Sequence, residues 1–355
     1  MIKVMIVDDS PLVRKIASDI LSTDPEIEVI ATASCAEIAL KKLEKIQPDV
    51  ITMDIEMPGM GGLNAIKEIM QTKPVPIILL SAFARKGAEL TLQALELGAV
   101  DFIAKPTISL SGGITDISSQ LISKVKQAAG IKVTQLRPFS QHSKNKDQPS
   151  HTETKFKNST ASTKYEIVAI GASTGGPVAL KTVLTEIPED FPVGILIVQH
   201  MPPVFTKAFA DRLDNLCKIK VKEASDGDCI LPGTALLAPG DHHMTVTRYN
   251  STPRVKLHKW EPVSGHRPSV DVLMHSVMRE YGSKAIGVIM TGMGKDGAEG
   301  LHELKRKGGY VIAQNKETSV IFGMNGEVVK KGVADEVLPV NEIAPCIMRC
   351  LENKT

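Results

Sequence analysis

The feature that most constrains this 355-residue chain is a repeated alternation of short apolar runs with amphipathic stretches at helical spacing. Apolar runs at 3–7, 29–33, 50–53, 77–80 and 101–104 read as strands, and patterns at 11–21, 35–46, 63–71 and 88–97 read as helices between them. Strands separated by helix-length stretches pair in parallel, with the helices covering both faces of the sheet. The same logic returns in the second half, with strands expected at 167–170, 194–198, 285–290 and 310–313. Residues 231–257 are less regular and are expected to hold a β-hairpin. The fold class is therefore α/β: an N-terminal (βα)5 unit of flavodoxin type, then a doubly wound, mostly parallel α/β domain.

Between the halves, residues 140–163 have Phe156 as their only large apolar residue. Such a segment buries too little surface to offset its ordering entropy, so it reads as a flexible linker. Basic residues without acidic ones continue back to Lys126, which sets the expected division at 1–125, 126–163 and 164–355. The formal charge of +2 is a cancellation: net −4 in the first segment, +5 in the linker and +1 in the last. Neither folded half has the basic excess of a nucleic-acid protein, and one Trp, four Tyr and eight Phe leave few stacking platforms. Five cysteines without a CxxC or metal-ligand spacing fit a reducing compartment, with Cys346 and Cys350 read as small packing residues. The N-terminus lacks signal-peptide architecture, and no apolar run reaches the roughly 18 residues of a membrane span. The expectation is a cytoplasmic protein without membrane insertion.

Four strands of the first half end on residues able to do chemistry: Asp8 and Asp9, Asp54, Ser81 and Lys105. Ligands of open parallel sheets bind beyond the carboxyl ends of the strands, so these residues are expected to converge. Three crowded carboxylates invite a hard divalent cation, Mg²⁺. A lysine and a hydroxyl beside them suit a phosphoryl group, one neutralising charge and the other donating a hydrogen bond. Each feature alone is more often a helix cap or a turn. All four at successive strand ends argue against coincidence.

The motifs VDDSP at 7–11, MDIEMPGMGG at 53–62, LLSA at 79–82 and DFIAKP at 101–106 closely resemble the response-regulator receiver domain. The resemblance implies Asp54 as phospho-acceptor, with Mg²⁺ held by Asp8, Asp9, Asp54 and the backbone carbonyl of Glu56. It also implies that Ser81 and Lys105 sense the acyl phosphate and that Phe102 is the switch aromatic.

After the linker, YEIVAIGASTGGP runs from a strand through a glycine-rich turn into a helix. A dinucleotide site is a weak reading, because the spacing is G-x-x-x-G-G and Glu189 and Asp190 precede the next strand instead of ending it. Gly171-Ala172-Ser173-Thr174-Gly175 instead fits G-x-S-x-G at a strand-turn-helix junction, which exposes a serine hydroxyl. A nucleophilic serine needs a base, and the base needs an orienting carboxylate. Among nine histidines only His200 ends an apolar strand, and Asp296 lies in the glycine-rich turn after another. The order Ser173, His200, Asp296 disfavours the α/β-hydrolase fold. Asp226, Asp228, His242 and His243 read as solvated loop residues, and Arg267 and Ser269 have no role assignable from spacing.

GASTGGP at 171–177, QHMPP at 199–203, APGDHH at 238–243, GHRPSVD at 265–271 and TGMGKDG at 291–297 resemble the catalytic domain of the chemotaxis protein-glutamate methylesterases, the CheB family. That resemblance implies Ser173 as nucleophile, His200 as general base and Asp296 as its orienter. The Met293 backbone N–H would be the oxyanion donor and Thr174 a supporting hydroxyl. It implies no cofactor in the catalytic domain. The implied substrates are methyl-accepting chemoreceptors, with receptor glutamines as a second substrate. The implied phosphodonor is a chemotaxis histidine kinase, with receiver phosphorylation relieving inhibition of the esterase. A DNA-binding regulator, a dinucleotide-dependent oxidoreductase and a non-catalytic adaptor are the competing classes.

Overall fold

In the computed structural model, residues 1–81, 84–105, 114–131 and 163–352 are described. The chain divides into two compact units, residues 1–146 and 147–355. The first unit contains β1 (Ile2–Val7), α1 (Pro11–Leu21), β2 (Ile27–Ala33), α2 (Ala36–Leu43), β3 (Val50–Asp54), α3 (Gly62–Thr72), β4 (Ile77–Ser81), α4 (Arg85–Glu96), β5 (Asp101–Ala104) and α5 (Ile114–Ala129). All five strands are parallel, in the order β2-β1-β3-β4-β5. β3 (VITMD) and β4 (IILLS) are buried along their whole length, as expected for strands covered by helices on both sides. Chain order reverses between β1 and β3, so their carboxyl ends flank the crevice where doubly wound sheets bind ligands.

The segment expected to be linker from residue 126 is helical as far as Ala129. Lys126 lies in the last turn of α5, where its ammonium pairs with Asp24 at 2.7 Å and Glu26 at 2.6 Å. An acidic partner in the loop after α1 thus turns an apparent linker lysine into the end of a helix. The rest of the expected linker, residues 132–162, lies outside the described residues.

The second unit contains β6 (Ile167–Ala172), α6 (Gly176–Thr185), β7 (Gly194–Gln199), α7 (Phe205–Asp214), β8 (Lys220–Glu223), β9 (Thr234–Leu237), β10 (His243–Tyr249), β11 (Thr252–His258), α8 (Val270–Tyr281), β12 (Ala285–Ile289), α9 (Ala298–Arg306), β13 (Tyr310–Gln314), α10 (Met324–Lys330), β14 (Glu336–Leu338) and α11 (Val340–Glu352). Seven parallel strands form one sheet in the order β14-β13-β12-β6-β7-β9-β8. β10 and β11 form the separate antiparallel hairpin. One apolar core joins β6, β7, β9, β12 and β13 through Ala169, Leu196, Leu236, Ile289 and Val311, and takes in Leu273, Met274 and Val277 of α8. β6 is the switch point of this sheet: β7 lies on one side and β12 on the other. No described helix is long and apolar enough to cross a membrane.

Candidate functional sites

In the first unit, β1 and β3 deliver three carboxylates to one place. The carboxylate oxygens of Asp8, Asp9 and Asp54 lie within 4.8 Å of one another, with Asp8 and Asp54 buried and Asp9 exposed. Lys105, just beyond β5, spans the gap, its Nζ 2.8 Å from both Asp8 Oδ2 and Asp54 Oδ2. Burial pushes the Asp54 carboxyl above its ordinary value, and the nearby Asp8 charge adds to this against the lowering effect of Lys105. Burial works against the Lys105 charge, but the two carboxylates outweigh it and raise its value. The Glu56 N–H donates to Asp54 Oδ1 at 3.2 Å, which sets residue 56 beside that carboxylate. Asp8 Oδ2 is buried, and the Lys105 ammonium is its partner. Three carboxylates within 4.8 Å, two of them sharing a single lysine, form an oxygen-rich cluster that fits a hard cation such as Mg²⁺.

Ser81 is buried, with its hydroxyl 3.3 Å from the Gly87 carbonyl and 2.7 Å from Thr91 Oγ1. It therefore faces α4. Phe102 is also buried, and its carbonyl and ring are both approached by the Lys124 ammonium.

In the second unit, three adjacent strands bring Ser173 and its candidate partners to the carboxyl end of one sheet. Ser173 follows β6, His200 follows β7 and Asp296 lies in the turn after β12. β6 and β7 are in register at Ala172–Gln199, and the His200 N–H donates to the Ala172 carbonyl at 3.1 Å. On the other side, the Ser173 N–H donates to the Thr291 carbonyl at 3.0 Å. Asp296 Oδ2 reaches across to His200 Nε2 at 2.8 Å. Burial disfavours the Asp296 charge, yet its contacts with His200, Val270 N–H and Asp271 N–H prevail and hold its carboxyl down at about 2. A carboxylate that can only accept puts the proton of His200 on Nε2. Nδ1, buried and without a hydrogen-bond partner, is then the basic nitrogen.

The Gly-rich segments permit this crowding. Gly175 has φ +78°, and a Cβ there would lie 2.6 Å from the Val320 side chain. A Cβ on Gly292 would lie 2.7 Å from Ser173 Cβ, so the turn carrying Met293 runs directly against Ser173. The Met293 N–H makes no hydrogen bond among the described residues. Thr174 is buried, and its carbonyl accepts from Thr291 Oγ1 at 3.0 Å.

Several residues differ from their expected roles. His243 is not a solvated loop residue: it begins β10 and is fully buried, because the hairpin packs it beneath the turn that precedes α8. His242 Nδ1 lies 3.2 Å from the Gly240 carbonyl. Asp226 is an exposed turn residue as expected and accepts the Leu257 N–H, while the half-buried Asp228 accepts the Ser225 N–H. Arg267 pairs with Asp241, and Ser269 Oγ donates to Asp296 Oδ1 at 2.8 Å. Gln199 escaped notice in the sequence, yet its buried Nε2 donates to the Ser173 carbonyl at 2.9 Å. His266 stacks on His200 with ring centroids 3.8 Å apart and planes at 12°. A polar residue closing the wholly apolar run ILIVQ was the available signal for Gln199; His266 had none beyond its motif.

Residues 4–110 match the response-regulator receiver domain, and residues 168–347 match the CheB methylesterase family. A protein-glutamate methylesterase/protein-glutamine glutaminase from Pyrococcus horikoshii is 43% identical over 99% of this chain and 94% of the relative. The Syntrophus aciditrophicus protein called protein-glutamate methylesterase/protein-glutamine glutaminase 2 is 47% identical over 98% of both chains. The crystal structure of the Thermotoga maritima CheB methylesterase catalytic domain matches with a TM-score of 0.51 and 44% identity. That match covers 52% of this chain and 98% of the other.

Proposed function

The chain belongs to the CheB methylesterase family, with a receiver domain ahead of the catalytic one, and from that membership we propose that it is a cytoplasmic protein-glutamate methylesterase switched on by phosphorylation of Asp54. Its substrates are methyl-accepting chemoreceptors, and its phosphodonor is a chemotaxis histidine kinase.

The observation that carries the catalytic reading is the 2.8 Å contact between Asp296 and His200 Nε2, which leaves Nδ1 unpartnered at the strand end beside Ser173. As Ser173 Oγ attacks the ester carbonyl, His200 Nδ1 takes its proton, and the low-lying Asp296 carboxylate stabilises the imidazolium. Met293 N–H serves the oxyanion, and such a donor contributes roughly 3–4 kcal/mol to transition-state stabilisation. Collapse of the tetrahedral intermediate breaks the C–OCH₃ bond, with His200 protonating the departing methoxide to methanol. Water, deprotonated by His200, then cleaves the acyl-enzyme to free glutamate. A glutamine side chain follows the same course with ammonia as leaving group, in keeping with the double name of the relatives.

In the receiver, Asp8, Asp9, Asp54 and the Glu56 carbonyl would hold Mg²⁺, which when bound offsets the negative charge of an incoming phosphoryl group. Lys105 already lies against Asp54 and would pair with the phosphoryl oxygens. Ser81 reaches the phosphate only by leaving its present partners on α4, a local rearrangement that couples phosphorylation to the α4 face.

The test is methanol release from methylated receptor membranes with and without a phosphodonor. Ser173→Ala is expected to abolish release, and Asp54→Ala to retain basal activity without stimulation. Removal of residues 1–140 is expected to raise the basal rate. A fully active Ser173→Ala protein would refute the catalytic assignment, and a stimulated Asp54→Ala protein the regulatory one.

A further inference from the structure

Four donors converge on the two oxygens of Asp296. Oδ2 accepts from His200 Nε2 and from the Val270 N–H at 2.7 Å. Oδ1 accepts from Ser269 Oγ at 2.8 Å and from the Asp271 N–H at 3.1 Å. Apart from His200, all of these come from the first residues of α8 and its N-cap. Ser269 does two things there: its hydroxyl hydrogen goes to Asp296, and its oxygen accepts the Val272 N–H at 3.4 Å to cap the helix. The direction in which α8 starts thus sets where the Asp296 carboxylate sits.

The start of α8 is fixed from below by His243. The Ser269 N–H donates to His243 Nδ1 at 3.2 Å, and His243 Nε2 lies 3.1 Å from the Glu261 carbonyl. The first partner can only donate and the second can only accept, so the tautomer with the proton on Nε2 is the one that satisfies both. His243 and Ser269 are each fully buried, and neither touches His200 or Ser173 in any hydrogen bond.

We infer that His243 and Ser269 are positioning residues for the triad. His243 pins the Ser269 peptide, Ser269 and the first turn of α8 hold Asp296, and Asp296 orients His200. The inference rests on the Ser173–His200–Asp296 reading, and it adds a buried histidine on a different structural element from any of the three. Orientation matters because displacing a catalytic group by about 1 Å costs on the order of 100-fold in rate.

The two ring nitrogens of His243 can be tested separately. Asn at 243 keeps an acceptor near the Ser269 N–H, whereas Gln keeps a donor toward the Glu261 carbonyl and loses that acceptor. In the full-length protein, His243→Gln and Ser269→Ala are expected to lower kcat for methanol release roughly 10- to 100-fold with KM unchanged. His243→Asn is expected to stay within about threefold of the parent, because the hydrogen bond to Ser269 survives. In an Asp296→Asn background, Ser269→Ala is expected to add nothing, since the group it positions is already gone.

Unchanged kcat in folded Ser269→Ala and His243→Gln proteins overturns the inference, as does an equal loss from Ser269→Ala in both backgrounds. Folding is monitored independently by far-ultraviolet circular dichroism. The triad reading fails on a different result: an Asp296→Asn protein as active as the parent. The two failures are therefore distinguishable.

Discussion

Gly292 offers the sharpest test of how tightly Ser173, the proposed nucleophile, is held. Its φ is not in the left-handed region, so alanine meets no backbone penalty there and the effect is steric. A Cβ would lie 2.5 Å from Met324 Sδ, 2.7 Å from Ser173 Cβ and 3.1 Å from the Ser173 N. Carbon atoms in ordinary contact sit about 3.5–4.0 Å apart, so the Ser173 side requires a shift of about 0.8 Å. Met324 can turn aside at little cost, because methionine is flexible. Ser173 cannot, because its N–H is bonded to the Thr291 carbonyl and its own carbonyl accepts from Gly176 N–H and Gln199 Nε2. Overpacking of this size destabilises by roughly 1–3 kcal/mol, which lowers the melting temperature of a unit this large by about 2–12 °C. A nucleophile displaced by most of an ångström loses on the order of 30- to 100-fold in kcat. Methanol release measured below the melting transition separates the two effects, with far-ultraviolet circular dichroism confirming the folded state. A folded Gly292→Ala protein with kcat within twofold of the parent would show that Ser173 is not wedged as described, and the reasoning would fall.

Other outcomes follow from the same contacts. Gly176→Ala puts a Cβ 2.0 Å from the buried Gln199 Oε1 and 2.9 Å from Ala172 Cβ. Displacing that amide breaks its bond to the Ser173 carbonyl, and despite about 1 kcal/mol of helix propensity gained, a net loss of roughly 2 kcal/mol is expected in urea unfolding. Lys105→Met leaves the Asp8 and Asp54 carboxylates facing each other. Without divalent ions the receiver should lose about 2 kcal/mol at neutral pH, reduced from a fully buried pair because Lys105 is 22% exposed. Mg²⁺ should restore part of that, and so should acidification, because Asp54 has a raised value and the folded state holds its proton more tightly; equal stability in EDTA would count against it. Asp296 titrates the other way. Its carboxyl is depressed from 3.8 to about 2, so it contributes on the order of 2 kcal/mol above pH 3.8, lost as pH falls through about 2. Asp296→Asn should flatten the stability-pH curve, followed by far-ultraviolet circular dichroism, in that window, and an unaltered slope would contradict it.

In the second unit, the sheet strands that read clearly in the sequence are the ones buried on both sides. IVAIGA, GILIVQ and AIGVI are continuous apolar runs because helices cover both faces. β8, KVKE, and β14, EVL, were illegible because they lie at the two edges of the sheet, where charged and half-exposed residues are tolerated and even favoured. The convergence of Ser173, His200 and Asp296 was legible for a related reason: Ser173 and His200 each follow a strand directly, and Asp296 lies in the turn after a third. What holds the triad was not. His243 and Ser269 sit in a loop-like stretch whose burial depends on the hairpin folding under α8, a long-range contact that leaves no periodicity in the local sequence. Likewise, the helical end at residues 126–129 meets its partners Asp24 and Glu26 about a hundred positions away, so composition alone assigned it to the linker.

The two sites use one topological device and opposite electrostatics. Each sits where strand order reverses in a parallel sheet, and each depends on a buried aspartate at the carboxyl end, Asp54 or Asp296. Burial disfavours the charge of both, yet the Asp54 carboxyl lies above its ordinary value and that of Asp296 far below. The difference is in what surrounds them. Asp54 has a second buried carboxylate beside it, shares one lysine with it and accepts one long N–H bond. Asp296 has four donors, three of them supplied by the start of a helix whose dipole also favours negative charge. An aspartate left short of positive partners is poised to gain more when a cation or phosphoryl chemistry arrives, which suits an input site. One already saturated stays ionised and fixed, as the partner of a general base must through every turnover. The donor count around each carboxylate therefore separates the proposed switch from the proposed catalytic aspartate, although sequence context presents both as an aspartate beyond a strand.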